Sequence, residues 1–186
     1  MSKKSSICGL ILNGGKSSRM GRDKGLISYH GKPQREHLMA LLSLHCDEVF
    51  VSCKSANDTP AHLHPLPDIF EIESPLNGIL SAFTFKSDVA WLSIPVDMPL
   101  ITSDTIAFLL RHRDTTKLAT CFYDSDGKKP EPLFTLWEPI AAKPLQIFYE
   151  QGNISPRQFL MTHPIQIIHA PDRAVLTNIN SRKFEV

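Results

Sequence analysis

Ile7-Cys8-Gly9-Leu10-Ile11-Leu12, followed at once by Asn13-Gly14-Gly15, is a short apolar run that breaks into a turn. A run of that length and character, closed by glycines, reads as a strand buried on both faces. Working outward, the same pattern recurs at 48–53 (EVFVSC) and at 90–94 (AWLSI), the latter stopped by Pro95. Further strands are expected over 118–123, 132–136 and 165–169. Between these runs the period changes to that of helices. Residues 34–44 follow Pro33 and carry Leu38, Leu41, Leu42 and Leu44. Residues 75–85 open with Ser74 as a capping side chain and Pro75 in the first turn. Residues 103–113 place Ile106, Phe108, Leu109 and Leu110 on their apolar face, and helices are also expected over 139–150 and 155–161. Strands alternate with helices from end to end, which predicts an α/β fold with a mainly parallel, mixed sheet covered on both faces. At 186 residues, with about 150 residues per domain as a guide, the expectation is a single three-layer domain over 1–186.

Composition narrows the function. Hydrophobic residues make up 42% and charged ones 21%, too apolar for a disordered chain. Twenty Lys and Arg face nineteen Asp and Glu, a balance that argues against a general nucleic-acid-binding surface. No stretch approaches the ~20 apolar residues of a membrane span, and the run behind the basic N-terminus is too short for a signal-peptide core. The expectation is a cytoplasmic protein with no nucleic-acid and no membrane partner. Cys8, Cys46, Cys53 and Cys121 contain no CxxC pair and read as reduced thiols, most of them buried in strands. His62 and His64 lie in a Pro-rich stretch without the Cys or carboxylate pattern of a zinc site.

Ligands of open α/β sheets bind beyond the carboxyl ends of the strands, so the loops after Leu12 and after Ile94 carry the chemical interest. The first runs Asn13-Gly14-Gly15-Lys16-Ser17-Ser18-Arg19-Met20-Gly21-Arg22-Asp23-Lys24, with four cations between positions 16 and 24. Gly14 and Gly15 let backbone N–H groups wrap an anion, and the cations suit a polyphosphate. Neither GxxxxGK[ST] nor GxGxxG is present, so the P-loop and dinucleotide patterns do not apply. A solvated basic turn is the alternative reading of these residues taken alone. The second loop, Pro95-Val96-Asp97-Met98-Pro99, holds a carboxylate stiffly between two prolines, as a Mg²⁺ ligand requires. Asp97 as a helix cap is the competing reading, but Thr102 and Ser103 stand closer to the helix that follows.

Five pieces taken in order resemble the molybdenum cofactor guanylyltransferases, within the nucleotidyltransferases of Rossmann-like fold. They are Leu12-x-Gly-Gly-x-x-x-Arg-Met-Gly-x-Asp-Lys24, Gly31-Lys-Pro33, Ser74-Pro-Leu-x-Gly78, Pro95-x-Asp-x-Pro99 and Thr177-Asn-Ile-Asn180. The resemblance spans nearly the whole chain. It implies transfer of GMP from GTP to the terminal phosphate of molybdopterin, with release of pyrophosphate. It further implies that Leu12, Asn13, Gly14 and Gly15 line the triphosphate, that Arg19 neutralises the departing pyrophosphate and that Lys24 sits against the α-phosphate. By the same resemblance Asp97 holds Mg²⁺ with help from Asn180. Ser52 and Asp68 contact the guanine nucleotide, and Pro75, Leu76 and Gly78 border its base or sugar. Transient contact with other cofactor-biosynthesis proteins or with recipient molybdoenzymes is a further implication.

The chain departs from the family pattern at four places. Asn13 stands where Ala is common, Ser52 replaces Asn, Ser74 replaces Gly, and Lys129-Pro-Glu131-Pro stands in place of His-Pro or Gln-Pro. These touch substrate contacts more than phosphate or metal residues. A phosphate monoester acceptor with a second pKa near ~6 is mostly dianionic at neutral pH, so the reaction needs positioning and charge stabilisation rather than a strong base. The alternatives at this stage are a CTP-dependent sister enzyme, another sugar- or alcohol-phosphate nucleotidyltransferase, and a non-catalytic nucleotide-binding module. Gly14-Gly15, rather than the Ala-Ala-Gly of CTP-using relatives, favours the guanylyl type.

Overall fold

The computed structural model describes residues 6–13 and 24–178. Their strands form one seven-stranded sheet in the order β3-β2-β1-β4-β6-β5-β7. In chain order the elements are β1 (Ile7–Leu12), α1 (Gln34–Leu42), β2 (Glu48–Cys53), β3 (Pro65–Pro67), α2 (Leu76–Phe85), β4 (Ala90–Pro95), α3 (Ser103–Arg111), β5 (Ala119–Tyr123), β6 (Pro130–Trp137), α4 (Ala142–Glu150), α5 (Pro156–Thr162) and β7 (Gln166–Ile168). Every neighbouring pair is parallel except those of β6, which runs against both β4 and β5. Six strands therefore end on one edge of the sheet, and β6 begins there.

Period-two alternation sorts side chains to the two faces. In β1, Cys8, Leu10 and Leu12 join a core built with Leu76, Ile79, Phe83, Leu145, Phe148 and Phe159 from α2, α4 and α5. Ile11 points to the other core, with Leu38 and Leu42 of α1 and Ile106 and Leu109 of α3. Both faces of the sheet are thus covered, which is the three-layer arrangement expected. Every residue of β4 is buried, as suits a central strand between two helical layers. Among the described residues no helix is long and apolar enough to cross a membrane.

The differences from expectation have local causes. β3 lies in a stretch that reads as a Pro-rich loop. It exists because Leu66 and Pro67 pair with the outer edge of β2, and an edge strand tolerates Pro. Strand β6 starts two residues early, with Pro130 set opposite Tyr123 across an irregular register. The helix expected over 139–150 begins as a 3-10 turn, Pro139–Ala141, and becomes α-helical from Ala142. Pro144 has no N–H to give the Ile140 carbonyl, so the α-helical ladder cannot extend further back. The helix expected to 113 stops at Arg111. Beyond the helix end, Arg113 pairs with buried Glu138 through two bonds of 2.6 and 2.7 Å.

Three of the cysteines, Cys8, Cys53 and Cys121, are buried in strands and all four are free thiols. His64 lies just before β3, its ring N–H donating to the Val49 carbonyl at 3.0 Å. It serves the β2–β3 connection.

Candidate active site

The strand ends β3, β2, β1 and β4 bring four residues into one row. Leu12 pairs with Ser52 on one side and Pro95 on the other, and Ser52 pairs in turn with Leu66. Chain order reverses direction between β1 and β4, so the carboxyl ends of these two strands open at a topological switch point, where α/β sheets bind ligands.

Asp68 follows β3 directly. Its N–H donates to the Cys53 carbonyl at 2.8 Å, which turns the half-buried carboxylate back over β2. There the Ser52 hydroxyl donates to Asp68 Oδ1 at 2.7 Å. Burial pushes the Asp68 carboxyl above its ordinary range, opposed only in part by the Ser52 hydroxyl and by Lys54. The N-terminus of α2 packs against this pair. A Cβ on Gly78 would stand 2.5 Å from Ser52 Oγ and 3.0 Å from Leu12 Cδ2, so the absence of a side chain is what lets the helix approach the two strand ends. Pro75 occupies the capping position, and the Leu76 N–H donates to Ser74 Oγ at 3.2 Å. Ser74 therefore serves as a cap one residue earlier than a regular N-cap. Its hydroxyl also donates to the Ile154 carbonyl, tying this turn to the α4–α5 connection.

Asp97 leaves β4 half-buried. The Val96 N–H donates to the Leu12 carbonyl at 3.3 Å, which carries the β1–β4 ladder one step past Pro95 and sets Asn13 and Asp97 at adjacent strand ends. Two groups from elsewhere feel the Asp97 charge. The Tyr29 phenol is raised by burial and then by Asp97. Glu131, at the start of β6 and 4% exposed, is raised by burial, with Asp97 adding to the shift while the Leu133 N–H and Arg157 oppose it. The His30 ring N–H donates to the Pro99 carbonyl at 2.8 Å, and the ring stacks on His37 with centroids 3.9 Å apart. The segment just after the first loop thus grips the loop after β4. The expected cap of α3 is found at Thr102, whose side chain accepts from the Thr105 N–H at 3.3 Å, so capping does not account for Asp97.

Of the residues singled out from the sequence, Leu12, Asn13, Ser52, Asp68, Pro75, Leu76, Gly78 and Asp97 gather on this one edge. Lys24 opens a 3-10 turn, Lys24–Leu26, that packs on α1. Gly14, Gly15, Arg19 and Asn180 lie outside the described residues. Sequence reasoning missed Tyr29, Asn77 and Ser81, and named Glu131 only within the Lys129-Pro-Glu131-Pro departure from the family pattern. The signal for Asn77 was a polar residue set among apolar ones in Leu76-Asn-Gly-Ile-Leu80, and for Glu131 a carboxylate between two prolines.

The donors beside β1 and β4 are all hard oxygens. They are the Asp97 carboxylate and the Asn13 side-chain amide, whose Oδ1 is buried with no hydrogen-bond partner among the described residues. Among the described residues no group of three or more His, Cys, Asp or Glu forms a cage for a metal. One or two protein oxygens, completed by phosphate and water, is the donor set a hard divalent cation such as Mg²⁺ accepts. The residues present fit such an ion.

The other half of the edge, β6-β5-β7, is different in character. Tyr123 and His169 stack with centroids 4.5 Å apart, and Arg157 of α5 reaches Asp124 at 3.2 Å beside Lys128 and Lys129.

Residues 9–166 match the model of the MobA-like NTP transferase domain. The chain belongs to this family. A relative from Synechocystis sp., a molybdenum cofactor biosynthesis bifunctional protein, is 35% identical over 179 residues. The match covers 93% of this chain, which spans only about half of that relative, 51%. The molybdenum cofactor guanylyltransferase of Pseudomonas paraeruginosa is 32% identical over 177 residues, covering 92% of this chain and 89% of that protein. Among solved structures, molybdopterin-guanine dinucleotide biosynthesis protein A of Archaeoglobus fulgidus superposes with a TM-score of 0.76 at 18% identity, covering 94% and 93% of the two chains. The 2-C-methyl-D-erythritol 4-phosphate cytidylyltransferase of Thermus thermophilus gives 0.66 at 12% identity, covering 93% and 92%. These two structures share the fold. Gly78 and Asp97 both lie within the residues that match the family.

Proposed function

We propose that the chain transfers GMP from GTP to the terminal phosphate of molybdopterin, releasing pyrophosphate, and acts in the cytoplasm. The observation that carries this reading is the convergence of Leu12–Asn13, the Ser52–Asp68 pair, Gly78 and Asp97 on one strand edge at the switch point. The relatives named molybdenum cofactor guanylyltransferase support the choice of nucleotide and acceptor.

In this reading the first loop, with Gly14 and Gly15, cradles the triphosphate by its backbone N–H groups. Ser52 and Asp68 take the guanine nucleoside, with Pro75, Leu76 and Gly78 as the wall beside it. Asp97, together with Asn13 and Asn180, would hold Mg²⁺, which supplies charge neutralisation on the phosphate oxygens when bound. Lys24 lies against the α-phosphate and Arg19 against the β- and γ-phosphates. The dianionic acceptor phosphate, entering from the β6-β5 side past Arg157, attacks the α-phosphorus, and the bond to the bridging oxygen of pyrophosphate breaks. No proton has to be removed from a dianion, so no general base is required. What the chain contributes is alignment of two anions and stabilisation of the charge that accumulates on the leaving pyrophosphate. A preorganised donor of this kind is worth about 3–4 kcal/mol in the transition state.

The test is pyrophosphate release from purified protein with molybdopterin as acceptor, with GTP and CTP as separate arms. Release with GTP, at least ten-fold faster than with CTP, is the expected result. Preference for CTP overturns the guanylyl assignment, and release with neither nucleotide overturns the enzymatic one.

A further inference from the structure

The segment that carries Asp68 onward from β3 is irregular, and yet its backbone is pinned. Asn77, in the first turn of α2, accepts the Phe70 N–H on Oδ1 at 3.1 Å and donates through Nδ2 to the Phe70 carbonyl and, at 3.2 Å, to the Ile72 carbonyl. Ser81, one turn on, donates to Asn77 Oδ1 at 3.2 Å and accepts the Ile69 N–H at 3.0 Å. Asn77 is 5% exposed and Ser81 2%.

Every donor and acceptor of the Asn77 amide is used, and four of the five bonds made by these two side chains go to the backbone of residues 69–72. A buried helix face has no need of an amide for its own stability, since Asn is a poorer helix former than Ala and costs desolvation. An amide is suited to this position because it offers a donor and an acceptor to a strip of backbone at once. The next residue, Gly78, touches Ser52, which in turn holds the Asp68 carboxylate. Two successive residues of α2 therefore constrain Asp68 from both sides, one through Ser52 and one through the backbone that follows it.

We infer that Asn77, braced by Ser81, is a positioning residue that sets the Asp68 carboxylate for the nucleotide and so tunes nucleotide affinity. This rests on the reading that Asp68 contacts the nucleotide.

The experiment is a double-mutant cycle read by calorimetric titration of GTP, with steady-state kinetics and thermal melting of each variant. Asn77→Ala is expected to raise the GTP dissociation constant at least ten-fold while kcat changes by less than three-fold. In an Asp68→Ala background the same substitution is expected to change affinity by less than two-fold, because its effect passes through the missing carboxylate. A purely structural role would weaken both backgrounds alike, and equal losses overturn the inference, as does wild-type affinity in Asn77→Ala. Unchanged affinity in Asp68→Ala alone removes the premise, and the inference with it, without touching the rest of the site. Should Asn77→Ala not fold, Ser81→Ala loses only the Ile69 and Asn77 bonds and carries the same cycle. Its expected loss is about three-fold, present with Asp68 and absent without it.

Discussion

Replacing Gly78 with alanine adds one methyl group at the closest approach in the site. The new Cβ would stand 2.5 Å from Ser52 Oγ and 3.0 Å from both Ser52 Cβ and Leu12 Cδ2. Restoring ordinary contact at 3.4 Å or more moves the hydroxyl by roughly 1 Å. That displacement is enough to break the 2.7 Å bond to Asp68. Two terms then oppose each other in stability. Alanine gains about 1 kcal/mol over glycine in a helix, while overpacking costs about 1–3 kcal/mol. The net is a loss of about 0–2 kcal/mol, or a fall in Tm of up to ~8 °C for a domain of this size. Affinity suffers more, because a hydrogen bond to a charged group is worth about 1.5–3 kcal/mol, which is ten-fold to a hundred-fold in Kd. Calorimetric titration with GTP and thermal melting measure the two effects separately. The double variant Ser52→Ala, Gly78→Ala removes the worst clash, so Tm should recover while GTP affinity stays low. Wild-type GTP affinity in Gly78→Ala would refute the argument that the close approach of α2 to Ser52 serves nucleotide binding.

Asp97→Asn should abolish metal-dependent turnover and weaken Mn²⁺ binding followed by electron paramagnetic resonance, with Tm within about 2 °C of wild type; full activity would remove Asp97 from the site. Lys24→Ala should lower kcat/KM at least ten-fold, a loss of about 1.4 kcal/mol of transition-state stabilisation, and unchanged kinetics would make Lys24 part of a solvated turn. Because burial raises the Asp68 carboxyl, its ionised form is lost on acidification sooner than for an ordinary aspartate. GTP affinity should therefore fall as pH drops through that raised value, and Asp68→Asn should flatten the profile; an identical profile in the variant would assign the titration elsewhere. Burial pushes Cys46 and Cys121 up to about 12 and Cys8 to about 11. Native protein at pH 8 should then react with iodoacetamide at least a hundred-fold more slowly than unfolded protein, and rapid labelling of Cys121 would contradict its burial.

Much of the fold is legible from residue order because the buried strands announce themselves. Ile7–Leu12 and Ala90–Pro95 are short apolar runs closed by a turn signal, and their alternate side chains enter two different cores. What escapes a local reading is whatever exists only through a neighbour. Pro65–Pro67 has no strand character of its own and becomes β3 by pairing with β2. Arg113 reads as the cationic end of a helix and is instead committed to Glu138, 25 residues on.

The site divides along the same line. Residue types and spacing alone established that a glycine-rich cationic loop follows the first strand and that a stiff carboxylate follows the apolar run at 90–94, since these depend on adjacent residues and on backbone chemistry. The tertiary structure decided that Ser52, Asp68 and Gly78 meet, and that Asn77 holds the backbone beyond Asp68. Those contacts depend on strand register and on the depth at which α2 packs. Both are properties of the assembled core, and no local period encodes them.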